Sequence, residues 1–297
     1  MAVRIVSALV AVGLVVGAVV VRRQLDDGGI AADSGGAGAA LVCDPLVADA
    51  CRQLADAAGV GEVRVEEPGV TAARLVDAGS GDAFLWVTDP VWAELVVAER
   101  PDLTVDGAAP VSAASPVELV STGVPAGCAA VDWACLASGG SGTVVGLDGP
   151  DTTLGMLARA QLTVAHFGTA QISLDQVRGP AFFDWVQVIE PSIAPAPGGQ
   201  TALDAHLTRR GAFDVVPAVG ADADGLDRPG YERTVPADGG PDVRMAVIAV
   251  AGADRSDLGT ALAPALTAEG WQPGPGSDGT GFPPADVLVE LDRQPLE

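Results

Sequence analysis

Along this chain, short apolar runs alternate with longer stretches in which apolar positions recur every three or four residues. Leu41–Cys43, Glu62–Val65 and Ala83–Val87 are runs of the first kind and read as strands. Asp44-Pro45 opens the first helical pattern, with Val47, Ala50, Cys51, Leu54 and Ala58 on one face. Pro68-Gly69-Val70-Thr71 leads into a second, Val70–Ala78. Asp89 as N-cap and Pro90 at the first helical position open a third, through Arg100. Trp86 and Trp92 flank that turn and read as packing residues. Strands alternating with helices imply a parallel sheet covered on both faces. Ligands of such sheets sit beyond the carboxyl ends of the strands, where helix N-termini point. The pattern therefore predicts a binding edge at Asp44, Gly69–Thr71 and Thr88-Asp89.

Val117–Ser121 reads as a further strand, and Gly123-Val124-Pro125 as a crossing into a second unit. There Thr143–Leu147 is a strand, and Asp148–Thr153 turns into a helix through about Val164. Ala181–Ile189 and Thr201–Arg210 read as helices, separated by an irregular Pro/Gly-rich stretch, Pro191–Gly199. Phe213–Val216 and Val243–Val250 read as strands, the loop-rich Ala221–Gly240 between them. Leu258–Gly270 is a closing helix, and Ala285–Leu291 one more short element.

A length of 297 residues holds two lobes with separate cores. The implied division is residues 39–121 with 241–297 as lobe I and 122–240 as lobe II. Before them, Ile5–Val21 carries no charge and as a helix spans about 26 Å, enough for a thin bilayer. Arg4 and Arg22-Arg23 bracket it. A cleaved signal peptide needs small residues soon after the apolar core, where Val19–Arg23 stands instead. The expectation is an uncleaved transmembrane anchor over residues 1–23, a flexible stalk over 24–38, and a large extracytoplasmic domain.

The net charge is −23, and every basic residue is Arg. Such acidity excludes nucleic acid as a partner, since phosphate neutralisation needs a basic patch. It also opposes long-range capture of anions.

Four cysteines form two close pairs, Cys43/Cys51 and Cys128/Cys135. Outside the cytoplasm an even count points to disulfides. Metal binding is the rival, but no CxxC spacing occurs and neither His lies near a pair. Residues seven or eight apart on one helix are about 10–12 Å apart, beyond bridging distance. Local pairing therefore requires the chain to bend, as Asp44-Pro45 allows for the first pair.

No catalytic constellation emerges. Ser141 lies in Gly139-Gly140-Ser141-Gly142-Thr143, whose second Gly is misplaced for a nucleophile elbow. His166 and His206 sit within helical runs, and Asp222–Asp227 lacks the terminal Glu of a calcium loop. Without Lys no phosphate-binding loop is complete. The sequence implies neither a cofactor nor a metal.

Three stretches resemble type 2 periplasmic binding proteins, the solute-binding components of ABC importers, in their molybdate-binding branch. Gly81–Trp92 resembles the strand and small loop before a Trp-containing helix, Val145–Thr153 the second-lobe strand and turn, and Gly211–Val216 the strand before the chain returns to lobe one. The resemblance covers roughly residues 39–270 and implies two α/β lobes, with parallel and mixed sheets, closing on a ligand at a hinge. It places Asp44, Val70, Thr71, Thr88, Thr122, Asp151, Thr152, Thr153 and Pro217 at the ligand. Where oxyanion-binding members carry a Ser, this chain has Asp44, which repels molybdate, sulfate or phosphate at close range. Asp44 reads equally as a helix N-cap. The implied partners are a small solute and an ABC permease. The alternative is a binding fold turned envelope interaction module, with a protein as its partner.

Overall fold

The computed structural model describes residues 39–293, apart from 59, 80, 107–108, 140–141, 224–225, 227, 238, 255–257 and 277–281. The expected span Ile5–Val21 and the stalk at 24–38 lie outside the described residues, as does Ser141. Among the described residues no helix is long and apolar enough to cross a membrane.

β1 (Ala40–Cys43) lies between β2 (Val63–Val65) and β3 (Phe84–Thr88), parallel to both. All five residues of β3 are buried, as a continuous apolar run in a covered sheet requires. β9 (Asp242–Val250) adds antiparallel to β3, and β4 (Val111–Ser121) follows antiparallel to β9. The helices α1 (Ala48–Ala58), α2 (Pro68–Ala78) and α3 (Pro90–Glu99) connect the parallel strands. Asp89 caps α3 by accepting from the Val91 amide, with Pro90 behind it.

β4 belongs to two sheets. Its first part, Val111–Pro116, pairs with β9; its second, Val117–Ser121, pairs with β7 (Val215–Val219) and β8 (Glu232–Thr234). Pro116, with no N–H to donate, sits where the partner changes. β7 is parallel to β5 (Val145–Leu147), and β5 to the edge strand β6 (Ile193–Pro195). β10 (Gln272–Pro273) pairs with the start of β4. The helices of this half are α4 (Trp133–Ala137), α5 (Thr153–Phe167), α6 (Leu174–Val177), α7 (Pro180–Ile189), α8 (Ala202–Thr208) and α9 (Gly220–Ala223). α10 (Leu258–Ala268) and α11 (Ala285–Arg293) close the chain.

Three sequence expectations are corrected. Pro45–Ala58 is not one helix: a 3-10 turn at Pro45–Val47 precedes α1. That bend brings Cys43 and Cys51 to 6.4 Å between Cα atoms, in a disulfide. Cys128 and Cys135 form the second, at 5.7 Å. The irregular stretch at Pro191–Gly199 contains β6, an edge position that tolerates Pro195. The cores are not separate either. One apolar cluster joins Leu41, Trp86 and Val247 of the first sheet to Leu119 and Leu147 of the second and to Leu157 of α5. The reason is helical packing: α5 rests on β9 and β7, and α11 on α3, α5 and α6. Only a smaller cluster, around Val120, Ala205, Phe213 and Val216, belongs to the second half alone.

Candidate functional site

An aspartate follows each of β1 and β5. Asp44 follows β1, its amide donating to the Val87 carbonyl at 2.9 Å. Its Oδ1 accepts from the Leu46 amide at 3.0 Å, capping the 3-10 turn. Its Oδ2 accepts from the Thr153 hydroxyl at 2.5 Å, and Thr153 Oγ1 in turn accepts from Trp92 Nε1 at 3.0 Å. The chain of bonds ties the β1 turn, α3 and α5 together. Asp44 is 1% exposed; burial raises its pKa to about 6, against the lowering effect of Thr153 and the Leu46 amide. Asp89, at the end of neighbouring β3, is also raised to about 6 by burial, although Arg244 opposes the shift.

Asp148 follows β5. Its Oδ1 accepts from the Ala202 amide at the start of α8, at 2.5 Å, and burial raises its pKa. Gly149–Thr152 then turns the chain into α5. Thr152 is the N-cap, accepting from the Gly155 amide at 3.0 Å and donating to the Gly149 carbonyl at 2.8 Å.

The two turns meet directly. The Gly69 amide, in the first turn of α2, donates to the Asp151 carbonyl at 2.8 Å. A Cβ on Gly69 would stand 2.5 Å from Asp151 Cα, so the approach needs glycine.

Beside this contact opens a cleft of about 410 Å³. Asp44, Pro45, Leu46 and Glu67 form one side; Asp148, Gly149, Asp151, Thr152, Leu154, Ala196–Thr201 and Asp204 form the rest. It lies at the carboxyl ends of parallel strands from both sheets, the position ligands take in α/β folds. Among the described residues, five carboxylates line it and no basic side chain does. Glu67 is the N-cap residue of α2 but makes no side-chain capping bond. Its pKa is pushed up to about 7, first by burial and then by repulsion from Asp44, Asp151 and Asp148. No three His, Cys, Asp or Glu among the described residues converge as metal ligands do. The arrangement can take hydrogen-bond donors and positive charge, and it rejects anions.

Of the residues expected at a ligand, Asp44, Asp151 and Thr152 line the cleft. Thr153 lies fully buried against Asp44. Thr71 is buried in α2, its hydroxyl donating to the Glu66 carboxylate, and Val70 faces solvent. Thr88 is fully buried at the end of β3. Pro217 is buried in the middle of β7, opposite Leu119. Thr122 lies at the other end of the second sheet, because β4 runs antiparallel to β7. It lines a separate depression of about 230 Å³ with Gly123–Ala126, Gly142, Thr143 and Asp214. Sequence reading missed Glu67, Asp148, Gln200 and Asp204. Asp148 carried a usable signal, being the first residue after an apolar strand; the others did not.

No protein-family model matches the sequence, and no curated protein matches it either. Solved structures do share its fold. The periplasmic thiamin binding protein superposes with a TM-score of 0.55 at 13% identity, over 87% of this chain and 97% of that one. Apo ferric ion-binding protein A of Pasteurella haemolytica gives 0.53 at 13% identity, over 86% and 95%. The periplasmic binding protein AfuA of Actinobacillus pleuropneumoniae, with exogenous fructose-6-phosphate bound, gives 0.51 at 15% identity, over 79% and 81%. At such identities the likeness carries the fold: this chain folds as periplasmic binding proteins do.

Proposed function

We propose that this chain is an extracytoplasmic solute-binding protein and that a small solute occupies the acidic cleft. In this reading the two sheets belong to two lobes, residues 39–121 with 241–297 and residues 122–240, which share one apolar cluster. They close on the solute with Asp44 and Glu67 held against Asp148–Thr152, the two sides joined by the Gly69–Asp151 and Asp44–Thr153 bonds. Ile5–Val21 is the membrane anchor, and an ABC permease is the acceptor of the solute. The observation that supports this most is the cleft itself. Its volume falls within the range typical of small-molecule sites, and its walls come from the strand ends of both sheets. Solute binding needs no catalytic group, and the reading is of a binder rather than an enzyme.

A second reading, an envelope interaction module without a small ligand, draws on the Gly69–Asp151 contact. There backbone meets backbone beside the Val70-Thr71 and Thr152-Thr153 positions that the family resemblance assigns to the ligand. Thermal unfolding of the full chain against a panel of cationic, neutral and anionic solutes separates the two. A binder gains several degrees with one solute class at concentrations well above Kd. If no solute shifts the midpoint, the solute-binding reading fails.

A further inference from the structure

Resting on the two-lobe reading, we infer that α11 is a strap: it clasps lobe I to lobe II in the closed arrangement, and its release frees the lobes to part. By chain order α11 (Ala285–Arg293) belongs to lobe I. Its packing does not stay there. It lies against α3 of lobe I and against α5 and α6 of lobe II.

The residues of the helix suit that position. Val287, Leu288 and Leu291 share one face at helical spacing and are buried. Leu288 and Leu291 meet Met156 and Ala160 of α5 around a recess of about 20 Å³, too small for a solute. The charges of α11 then divide between the lobes. Glu99 of α3 accepts from Arg293 at 2.9 Å. Glu290 accepts from Arg178, the residue that caps α6, also at 2.9 Å. The charge of Asp292 acts on Arg159 of α5. One helix of nine residues thus holds an anion of lobe I and two cations of lobe II.

The seam beneath α11 is the one that parts when the lobes open. The lobes are joined covalently through β4, which runs through both sheets, and through the stretch between β8 and β9. Continuous strands of that kind bend as hinges do. On the cleft side the lobes meet through the bonds of Thr153 to Trp92 and Asp44 and of Gly69 to Asp151. Those contacts are polar, and water takes the place of each partner when the seam parts. The contact of α11 is different in kind. Separating α3 from α5 beneath it exposes Leu288 and Leu291, which water does not compensate. A helix of nine residues does not persist alone in water, so release of α11 and its unwinding coincide. Such a segment opens as a unit of its own, below the free energy of global unfolding.

The test is amide hydrogen exchange of the full chain, followed by NMR with no solute present. The unaltered chain is compared with Leu288→Ala, with Glu290→Arg plus Arg293→Glu, and with that pair combined with Arg178→Glu and Glu99→Arg. Urea midpoints confirm that each variant is folded. In Leu288→Ala, the amides of residues 288–293 and the Gly69 amide, whose acceptor lies across the seam, exchange faster by about thirtyfold or more. Strands β3, β9 and β7 keep their rates. The charge reversal speeds the same amides by about two- to fivefold, the scale of exposed ion pairs. The fourfold variant, which remakes both pairs in the opposite sense, restores them. Faster exchange in α11 alone, with the Gly69 rate unchanged, overturns the strap, the helix then being a local cover. Acceleration spread evenly over β3, β9 and β7 also overturns it, because α11 is then part of the common core. No change in either variant, or no recovery in the fourfold one, overturns it as well. With no solute present, none of these outcomes bears on whether the cleft binds one, which the solute panel decides separately.

Discussion

The Thr153 hydroxyl reaches across 109 residues of chain to donate to Asp44 Oδ2 at 2.5 Å, while accepting from Trp92 Nε1 at 3.0 Å. One buried hydroxyl thereby satisfies a carboxylate from the β1 turn and an indole from α3. Both partners are buried, and neither has a water to turn to when the hydroxyl is lost.

Thr153→Val keeps the shape and removes the bridge. It leaves a buried carboxylate oxygen and a buried N–H unpaired, at a cost of about 2–4 kcal/mol. Urea unfolding at pH 7 measures this directly. A loss within about 0.5 kcal/mol, the scale of an ordinary surface change, contradicts the bridge.

Stability rises on mild acidification. Asp44 and Asp89 both have folded pKa values near 6 against 3.8 for the ordinary carboxyl. Between about pH 4 and 6 the folded state thus binds more protons than the unfolded one, and stability is lost as pH rises through that window. Each contributes about 1 kcal/mol on going from pH 8 to pH 5. Glu67 adds in the same direction, titrating near 7. His206 opposes them: it is fully buried against Tyr231 and Phe213, and burial lowers its pKa despite Asp214 nearby. Its contribution is lost as pH falls below about 6.5. The carboxyls outnumber it, so the midpoint at pH 5 exceeds that at pH 8. Asp44→Asn removes one carboxyl's share of the rise.

Gly69→Ala tests the contact between the turns. Its Cβ has no room beside the Asp151 Cα, Cβ and carbonyl oxygen, none of which is the far end of a flexible side chain, so the turns separate. The Gly69 and Asp151 groups stay near solvent, and the expected loss is about 1–3 kcal/mol. Hydrogen exchange at the residue 69 amide, which loses the Asp151 carbonyl as acceptor, speeds up in the variant. Unchanged stability and exchange contradict a direct contact.

Cys128→Ser with Cys135→Ser removes a bridge whose ends are seven residues apart and only partly buried. Loop-closure entropy puts the cost at about 2.5 kcal/mol. Urea unfolding of the double variant against the oxidised chain reads it, and mass spectrometry with and without reductant confirms the bond.

How much of this was legible follows residue by residue. The strand-to-helix turns at Asp44 and Asp148–Thr153 were readable, because apolar runs ended at residues with capping chemistry. Half of β4 was not: Ser112, Ala113, Ala114 and Ser115 have little strand propensity and are held by pairing with β9 and β10. Ile193–Pro195 escaped because Pro195 and the flanking Pro191 and Pro197 read as loop, although an edge strand accommodates Pro195. Glu67 and Asp204 reach the cleft only through long-range packing of α2 and α8 against the β5 turn, which no local pattern encodes. Thr122 follows from strand direction. Its position was carried over by resemblance, whereas the antiparallel course of β4 takes it to the far end of the second sheet.

Hydrogen–deuterium exchange of the full chain, with and without the panel solute that stabilises it most, tests the central claim most directly. Binding in the cleft predicts slowed exchange at residues 44–46, 67–71, 148–155 and 196–204, and none at the distal depression around 122–126 and 142–144. Protection confined to that depression, or no protection with any solute, contradicts it.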